Sequence, residues 1–143
     1  MSTNYFIFEL GATRLGVPAM SIETVLEPQS ASPLPQAPSY LMGLIPFGQE
    51  ALAVMDLRKF LRLENEAAGE RMPRILVLSA PPLRVGVDVD RAIGVIEVAD
   101  DDVAQVEVLQ GGRLKDFLVG EIDDNGQLTG LVDIDALLEG ARV

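Results

Sequence analysis

The sequence has no histidine, no cysteine and no tryptophan among its 143 residues. Without histidine, the histidine-based hydrolase triad and a histidine proton shuttle are excluded. Without cysteine, there are no disulfides, thiol nucleophiles or thiolate metal sites, and the fold must be held by packing alone. Because so little catalytic chemistry is available, we expect the chain to act through contacts between protein surfaces.

Basic residues are also scarce, since 22 acidic residues stand against 11 basic ones and give a net charge of −11. Nucleic-acid binding needs clustered Lys and Arg side chains on the phosphates, so we expect no nucleic-acid partner. The same negative field opposes anionic lipid and favours basic partners. A solvated acidic surface without a dedicated partner is the simplest interpretation of the charge.

Long apolar runs are missing as well, and none approaches the ~20 residues that a membrane span requires. Residues 1–4 carry no basic cluster and no cleavage site follows them, so we expect no secretory signal and no direct membrane insertion. A cytoplasmic location follows as the expectation. A chain of 143 residues with 48% hydrophobic residues corresponds to one domain with a self-supporting core.

The common cofactor and metal motifs are absent. Neither a phosphate-binding loop ending in Gly-Lys-Ser/Thr nor the dinucleotide glycine fingerprint occurs. Residues 121–126 resemble the start of a calcium loop, but Val132 occupies the position where a bidentate Glu is needed. We interpret this stretch and the acidic run 100–102 as solvated turns, and we predict no metal, no cofactor and no catalytic residues.

Short apolar stretches with regular spacing dominate the chain and predict strands. They cover residues 5–10, 14–18, 51–55, 74–78, 83–89, 94–98, 103–108, 117–122 and 128–132. Hairpins are predicted at residues 11–13 and at the Asn-Gly turn of 123–126. Residues 20–26 have mixed spacing, and a helical turn followed by a strand is one interpretation that the period alone does not decide.

Nine or ten short strands at this spacing indicate a mainly all-β fold, and two small barrels that share one core are a plausible layout. The proline-rich segment 27–38 predicts a stiff crossing loop, followed by a helical turn at residues 40–42. The most polar stretch, residues 64–71, is predicted to be a mobile connection that divides the strands into two groups.

Two helices are predicted, each opened by an aspartate. Asp56 follows the strand at 51–55 and is expected to cap a short helix whose apolar face holds Leu57, Phe60 and Leu61. Arg58 on the same helix could bond a nearby carboxylate or contact a partner, and both readings stay open. A second helix is predicted over residues 133–138, with acids at its N-terminus.

Residues 43–48 carry three large apolar side chains in a predicted loop. If Ile45 and Phe47 face solvent, they form the kind of patch that marks an interface, whereas Leu44 is expected to turn into the core. These two residues are therefore candidate protein-binding residues.

The order of these segments resembles the CheW-like domain family, the adaptors that join chemoreceptors to the chemotaxis histidine kinase. The resemblance is carried by YFIFELGATRLGVPAMSIETVLEP, LPQAPSYLMGLIPFGQEALAVMDLRKFL, RILVLSAPPLRVGVDVDRAIGVIEV and FLVGEIDDNGQLTGLVDIDALL, which together run from residue 5 to 138. It implies a single domain over 1–143 with two five-stranded SH3-like barrels, no catalysis, and protein-binding surfaces on and between the barrels. The residues carried over from the family are Ile22, Val25, Gly43, Asp56, Leu57, Arg58 and Asp90.

One loop departs from the family pattern. The family has Asn-Leu-Arg-Gly where this chain has Pro46, Phe47, Gly48 and Gln49, so Gly48 replaces the exposed arginine. Loss of a basic residue from a recognition loop is expected to change which partner binds.

Three functions are compatible with the sequence. The first is an adaptor that pairs with the regulatory domain of a chemotaxis-type histidine kinase and receives the cytoplasmic tip of a chemoreceptor in an apolar groove. The second is a module that binds or localises a kinase without contacting receptors, as the missing arginine suggests. The third is a small-ligand-binding β-barrel or an enzyme that uses only carboxylates.

Overall fold

The computed structural model describes residues 1–63, 71–109 and 111–141. These residues form ten strands and two α-helices, joined by three 3-10 turns. The strands are β1 (Ser2–Leu10), β2 (Thr13–Pro18), β3 (Ile22–Leu26), β4 (Leu41–Phe47), β5 (Glu50–Asp56), β6 (Arg74–Ala80), β7 (Leu83–Val89), β8 (Arg91–Ala99), β9 (Leu118–Asp124) and β10 (Gln127–Val132). The helices are α1 (Leu57–Phe60) and α2 (Ile134–Gly140). The mainly β fold predicted from the strand spacing is confirmed.

The strands form two five-stranded sheets. The first sheet has the order β8-β1-β2-β10-β9, and the second has the order β3-β6-β7-β5-β4. Neighbouring strands are antiparallel, except for the parallel pairs β2/β10 and β5/β7. The chain passes from the first sheet to the second after β2 and returns after β7, so the second sheet is inserted within the first.

This topology corrects the predicted division of the strands at residues 64–71. The strands on either side of that stretch, β5 and β6, belong to the same sheet, and the two sheets do not follow one another along the chain. The proposed mobile connection itself lies outside the described residues, apart from Arg71. A polar stretch marks a surface connection, and it carries no information about which sheet the next strand joins.

The core has three parts. Ile45, Leu52, Val54, Ile75 and Val77 pack inside the second sheet, and Val98, Ile122 and Leu131 pack inside the first. The largest cluster lies between the sheets and draws residues from both, including Phe8, Leu15 and Val17 from the first and Leu76, Leu78 and Val87 from the second. This shared cluster also buries one face of α1 and of α2.

Several local predictions are confirmed. Asp56 caps α1 by accepting the N–H of Lys59 at 3.2 Å, and Asp133 caps α2 through the N–H of Ala136, also at 3.2 Å. The β9–β10 turn has Asn125 and Gly126 at positive φ, the conformation that an Asn-Gly hairpin requires. Residues 20–26 resolve as a 3-10 turn (Ala19–Ser21) followed by β3.

Two local predictions are wrong around β4. Residues 40–42 do not form a helical turn, and residues 43–48 do not form a loop, because β4 runs from Leu41 to Phe47 and pairs with β5. Gly43 lies within this strand at a φ of +138°, and a Cβ atom there would collide with the backbone of Ser32. The absence of a Cβ atom at Gly43 lets the 27–40 loop cross the strand closely.

Residues 103–108 were predicted to be a strand, and they are not one. Ala104 forms a single bridge with Glu121 of β9, and the rest of the segment is irregular. The buried Glu121 carboxylate accepts the backbone N–H groups of Glu107, Val108 and Leu109 at 3.0, 3.3 and 3.2 Å. The two carboxylate oxygens of Glu121 therefore accept the N–H groups that would bond to a neighbouring strand if this segment were a strand.

The Glu121 contacts predict a pH-dependent contribution to stability. Burial by itself would raise the pKa of Glu121, but the three backbone donors hold this pKa below the ordinary value near 4.5. A lowered folded-state pKa means that the ionised group stabilises the fold at higher pH, and that this contribution is lost as the pH falls through the ordinary value and below it. Glu121→Gln is therefore expected to reduce the free energy of unfolding at pH 7 more than at pH ~3.5.

Urea unfolding followed by circular dichroism at both pH values measures this difference. Asp102→Asn, which neutralises an exposed carboxylate in the 3-10 turn after β8, is the control. A loss of stability in Glu121→Gln that is equal at the two pH values would contradict the assignment of the three N–H bonds to the ionised carboxylate.

Candidate functional site

Asp90 lies at the point where the chain returns from the second sheet to the first, between β7 and β8. Its Oδ2 atom accepts the N–H of Gly11 in the β1–β2 turn at 2.6 Å and lies 3.4 Å from Nη1 of Arg58 on α1. Its Oδ1 atom lies 3.0 Å from Nη2 of Arg71. A buried carboxylate is costly unless it is paired and hydrogen-bonded, and here both conditions are met.

The backbone of Asp90 strengthens the same junction. Its N–H donates to the carbonyl of Glu9 at 3.0 Å, and its carbonyl accepts the N–H of Met72 at 3.0 Å. The residue thus joins the end of β1, the segment before β6 and helix α1. Asp90 fixes how these elements meet, and its side chain is largely covered by the groups that it binds.

Two further aspartates accompany Asp90 on this side of α1. Burial is the largest cause that raises the pKa of Asp88 above its usual value; Arg71 opposes this effect, and the charges of Asp56 and Asp90 raise the pKa further. The carboxylates therefore depend on the nearby arginines for charge balance. Arg58 is one of these arginines, which supports its structural role, although its side chain is still 26% exposed.

The other residues predicted from the sequence differ in how deeply they are buried. Leu57 lies in the shared core, and Ile45 is 1% exposed inside the second sheet, so the expected solvent-facing patch is not formed by Ile45. Strand alternation explains this, because Gly43, Ile45 and Phe47 point to the face of β4 that packs inside the second sheet, while Leu44 points to the other face and is half-buried. The expectation that Leu44 is the inward residue was therefore reversed.

The two residues predicted on β3 lie at an edge of the second sheet. Val25 is 40% exposed, and Ile22 is half-buried against the shared core. The structure thus brings Asp56, Leu57, Arg58 and Asp90 together around α1, and places Ile22 and Val25 on a separate edge. Gly43, Ile45 and Phe47 form a third group on β4.

An apolar surface on β8 was missed by the sequence analysis. Val95 lies opposite Phe6 of β1, and Phe6 lies opposite Val17 of β2, so the three side chains share the face that packs against the second sheet. Val17 is buried, Phe6 is half-buried, and Val95 is 57% exposed, which shows that this face extends beyond the area covered by the second sheet. Ile93, at the bulge of β8, is exposed beside it.

Met20 adds to the exposed apolar surface at the other passage between the sheets. It is almost fully exposed in the 3-10 turn between β2 and β3. Exposed apolar side chains at a boundary between two packed units are typical of contact surfaces. The pattern of residues 94–98 predicts a strand that includes Val95. Only the strand register shows that Val95 lies beside Phe6, on the face toward the second sheet.

Residues 1–63, 71–109 and 111–141 were searched for a metal site and for a membrane-spanning helix. Among them, no group of three or more potential ligands is arranged to hold a metal ion. Within the same residues, no helix is both long enough and apolar enough to span a membrane.

The family model of the CheW-like domain matches residues 4–142, so this chain belongs to the CheW-like domain family. Protein FrzA of Myxococcus xanthus is 31% identical over 140 residues, covering 96% of this chain and 86% of that protein. Chemotaxis protein CheW of Thermotoga maritima is 27% identical over 138 residues, covering 95% and 87%. Chemotaxis protein CheW of Treponema pallidum is 24% identical over 139 residues, covering 95% and 82%.

A solved structure shows the same fold. The crystal structure of the scaffolding protein TtCheW from Thermoanaerobacter tengcongensis superposes with a TM-score of 0.81 at 17% identity, and the match covers 93% of this chain and 90% of that one. The expected resemblance to this family is therefore confirmed in sequence and in fold.

The contacts of Asp90 predict a large loss of stability on its removal. Asp90→Ala leaves the buried Gly11 N–H without an acceptor and leaves Arg58 and Arg71 without their shared carboxylate. We expect the free energy of unfolding to fall by about 2–4 kcal/mol.

Chemical denaturation at pH 7 measures the change, and Asp102→Ala serves as a control at an exposed carboxylate. A loss below about 0.5 kcal/mol, the usual range for surface substitutions, would show that Asp90 does not hold the junction.

Proposed function

We propose that this chain is a non-catalytic adaptor in chemosensory signalling, which couples chemoreceptors to a histidine kinase through protein–protein contacts. Members of the CheW-like family join these two components. The observation that carries the proposal is the exposed continuation of the intersheet apolar face on β8, centred on Val95. A cytoplasmic location is part of this proposal, because the proposed partners are the cytoplasmic tip of a receptor and a histidine kinase.

The β8 surface suits a helical partner. Val95 and Ile93 are exposed apolar side chains on β8, and Val95 continues the face on which Phe6 and Val17 pack toward the second sheet. An amphipathic helix binds such a surface by laying its apolar face along it. We assign this surface to the cytoplasmic tip of a chemoreceptor.

The β3 edge suits a second, separate contact. Ile22 is anchored in the shared core, so β3 is held firmly while Val25 faces outward. We assign Val25 and Ile22 to the regulatory domain of the kinase, in a barrel-to-barrel contact. Phe47, beside the β4–β5 turn, packs against the cluster inside the second sheet and supports the sheet from within.

The remaining candidate residues support these surfaces from within. Gly43, Ile45 and Leu57 are buried, and Asp56 and Asp90 bond to the backbone of α1 and of the β1–β2 turn. We propose that they hold the contact surfaces in position. Because the shared cluster draws from both sheets, we treat residues 1–143 as one domain with two subdomains.

A second candidate is a kinase-binding module that does not contact receptors. It is favoured by Gly48, which lies exposed in the β4–β5 turn with a φ of +62° where the family carries an arginine. Sedimentation with receptor-containing membranes separates the two functions, because only the adaptor is recovered with the membranes.

The receptor assignment predicts the effect of a charge on β8. Val95→Asp is expected to reduce recovery with receptor membranes at least tenfold, because the charge must be desolvated against an apolar helix. Val119→Asp is the matched control, since Val119 is 56% exposed on the opposite edge strand β9 and Val95 is 57% exposed. Equal recovery of the two variants would remove the β8 surface from the receptor contact.

The kinase assignment predicts an effect on β3. Val25→Asp is expected to weaken binding to the purified kinase regulatory domain at least tenfold, with Val119→Asp again close to wild type. Isothermal titration gives the dissociation constants, and circular dichroism checks that both variants fold. If the wild-type chain binds neither the kinase domain nor receptor membranes, the proposed function is wrong.

A further inference from the structure

Residues 111–113 connect the first sheet to the end of helix α1. They belong to the segment between β8 and β9, two strands of the first sheet, whereas α1 follows β5 of the second sheet. The N–H of Arg113 donates to the carbonyl of Leu61 at 2.7 Å, and its Nη1 atom donates to the carbonyl of Phe60 at 3.4 Å. The last carbonyls of a helix have no partner within the helix, so these two bonds complete α1 with donors from the other sheet.

The side chain of Arg113 also stacks on two aromatic rings, one from each side of this junction. Its guanidinium carbon lies 4.7 Å from the centre of the Phe60 ring on α1 and 5.0 Å from the centre of the Phe117 ring, which directly precedes β9. The two ring centres are 5.1 Å apart. Because a guanidinium is attracted to the face of an aromatic ring, one side chain holds α1 and the start of β9 together.

Gly112 allows the backbone to approach α1 this closely. It has a φ of +59°, and a Cβ atom there would collide with the carbonyl oxygens of Leu61 and Arg62. Gly111, the residue before it, has open space around the position of a Cβ atom. Only one of these two adjacent glycines is therefore required by the contact with α1.

Helix α1 is thus tied to the first sheet at both of its ends. Near its start, Arg58 lies 3.4 Å from the Asp90 carboxylate, which also accepts the N–H of Gly11 in the β1–β2 turn. At its end, Phe60 and Leu61 are bonded to Arg113. A helix of four residues is not stable by itself and takes its direction from its attachments. One tie leaves a helix able to pivot, whereas two ties fix its direction.

We propose that Arg113 is a positioning residue that sets the angle between the two sheets. Because α1 continues directly from β5, fixing the direction of α1 fixes the second sheet relative to the first. The apolar cluster between the sheets attracts them without a preferred direction, so the directional contacts of Arg113 select the angle. This role is a property of the chain alone; its consequence, a fixed separation between the receptor contact on β8 and the kinase contact on β3, rests on the proposed function.

Distance measurements between the two sheets test the inference. The chain has no cysteine, so Val119→Cys on β9 and Ala51→Cys on β5 place two spin labels at exposed positions, one on each sheet. Pulsed electron paramagnetic resonance then gives the distribution of distances between the labels. We expect one narrow distribution for this labelled chain. Arg113→Ala in the same background is expected to make the distribution about twice as broad, because α1 can then pivot at Asp90.

Gly112→Ala tests the same contact without removing the arginine. The added methyl group forces residues 111–113 away from α1, so this variant is also expected to broaden the distribution about twofold. Gly111→Ala is the matched control, and we expect it to keep the narrow distribution, since its methyl group enters open space.

Ile75→Val controls for a general loss of stability. Ile75 belongs to the cluster inside the second sheet, so this variant is less stable but leaves the contacts of Arg113 intact, and its distribution is expected to stay narrow. Circular dichroism checks that each variant folds. If Arg113→Ala does not fold, Arg113→Lys takes its place, because it keeps the charge but loses the planar group over the rings.

The outcomes separate this inference from the proposed function. Narrow distributions for both the Arg113 variant and Gly112→Ala would overturn the positioning role and leave the adaptor function standing. Equal broadening in Ile75→Val would also overturn it, because the distance would then report only lost stability. A wild-type chain that binds neither partner would refute the adaptor function, while the distances would still decide the role of Arg113.

Discussion

The contact between the two sheets is the constraint on which the rest of the molecule depends. Each five-stranded sheet has too small an interior to bury all of its apolar residues, and the largest cluster forms only where the sheets meet. Asp90 is the polar centre of this junction, because one carboxylate joins the β1–β2 turn, α1 and Arg71. Apolar packing supplies the attraction, and these directional bonds select one relative arrangement.

The proposed contact surfaces are by-products of this arrangement. The first sheet is wider than the area that the second sheet covers, so its packed face continues outward along β8 to Val95. The second sheet ends in β3, which is anchored by Ile22 and exposes Val25. Both surfaces lie on edge strands, where side chains are accessible while the backbone is held by an inner neighbour. A rigid surface loses little entropy when a partner binds.

Local structure was largely predictable from the sequence. The caps at Asp56 and Asp133 and the Asn-Gly hairpin follow from interactions within a few residues, and the structure confirms all three. The family resemblance then supplied the two-sheet layout, which strand spacing alone could only suggest. These successes share one cause, namely that each signal and the structure that it specifies are close together in the chain.

The errors arose where distant residues decide the outcome. A helical turn was wrongly predicted at residues 40–42, because nothing nearby shows that the backbone of Ser32 crosses the strand at Gly43. Residues 103–108 alternate like a strand, but the Glu121 carboxylate takes their N–H groups. The link from Arg84 to Glu23 and Glu50 joins three strands and has no sequence signature. Contacts between residues that are far apart in the sequence could therefore not be predicted from local patterns.

The insertion of one sheet within the other also orders the events of biosynthesis. All strands of the second sheet lie between residues 22 and 89, so they leave the ribosome before β8, β9 and β10 are made. The hairpin of β1 and β2 must wait for these late strands, and its parallel contact with β10 spans more than a hundred residues. Such long loop closures are slow, and during that delay the nascent hairpin exposes Tyr5, whose cluster partners Val98, Ile122 and Leu131 are made last, to chaperones and to other unfinished chains.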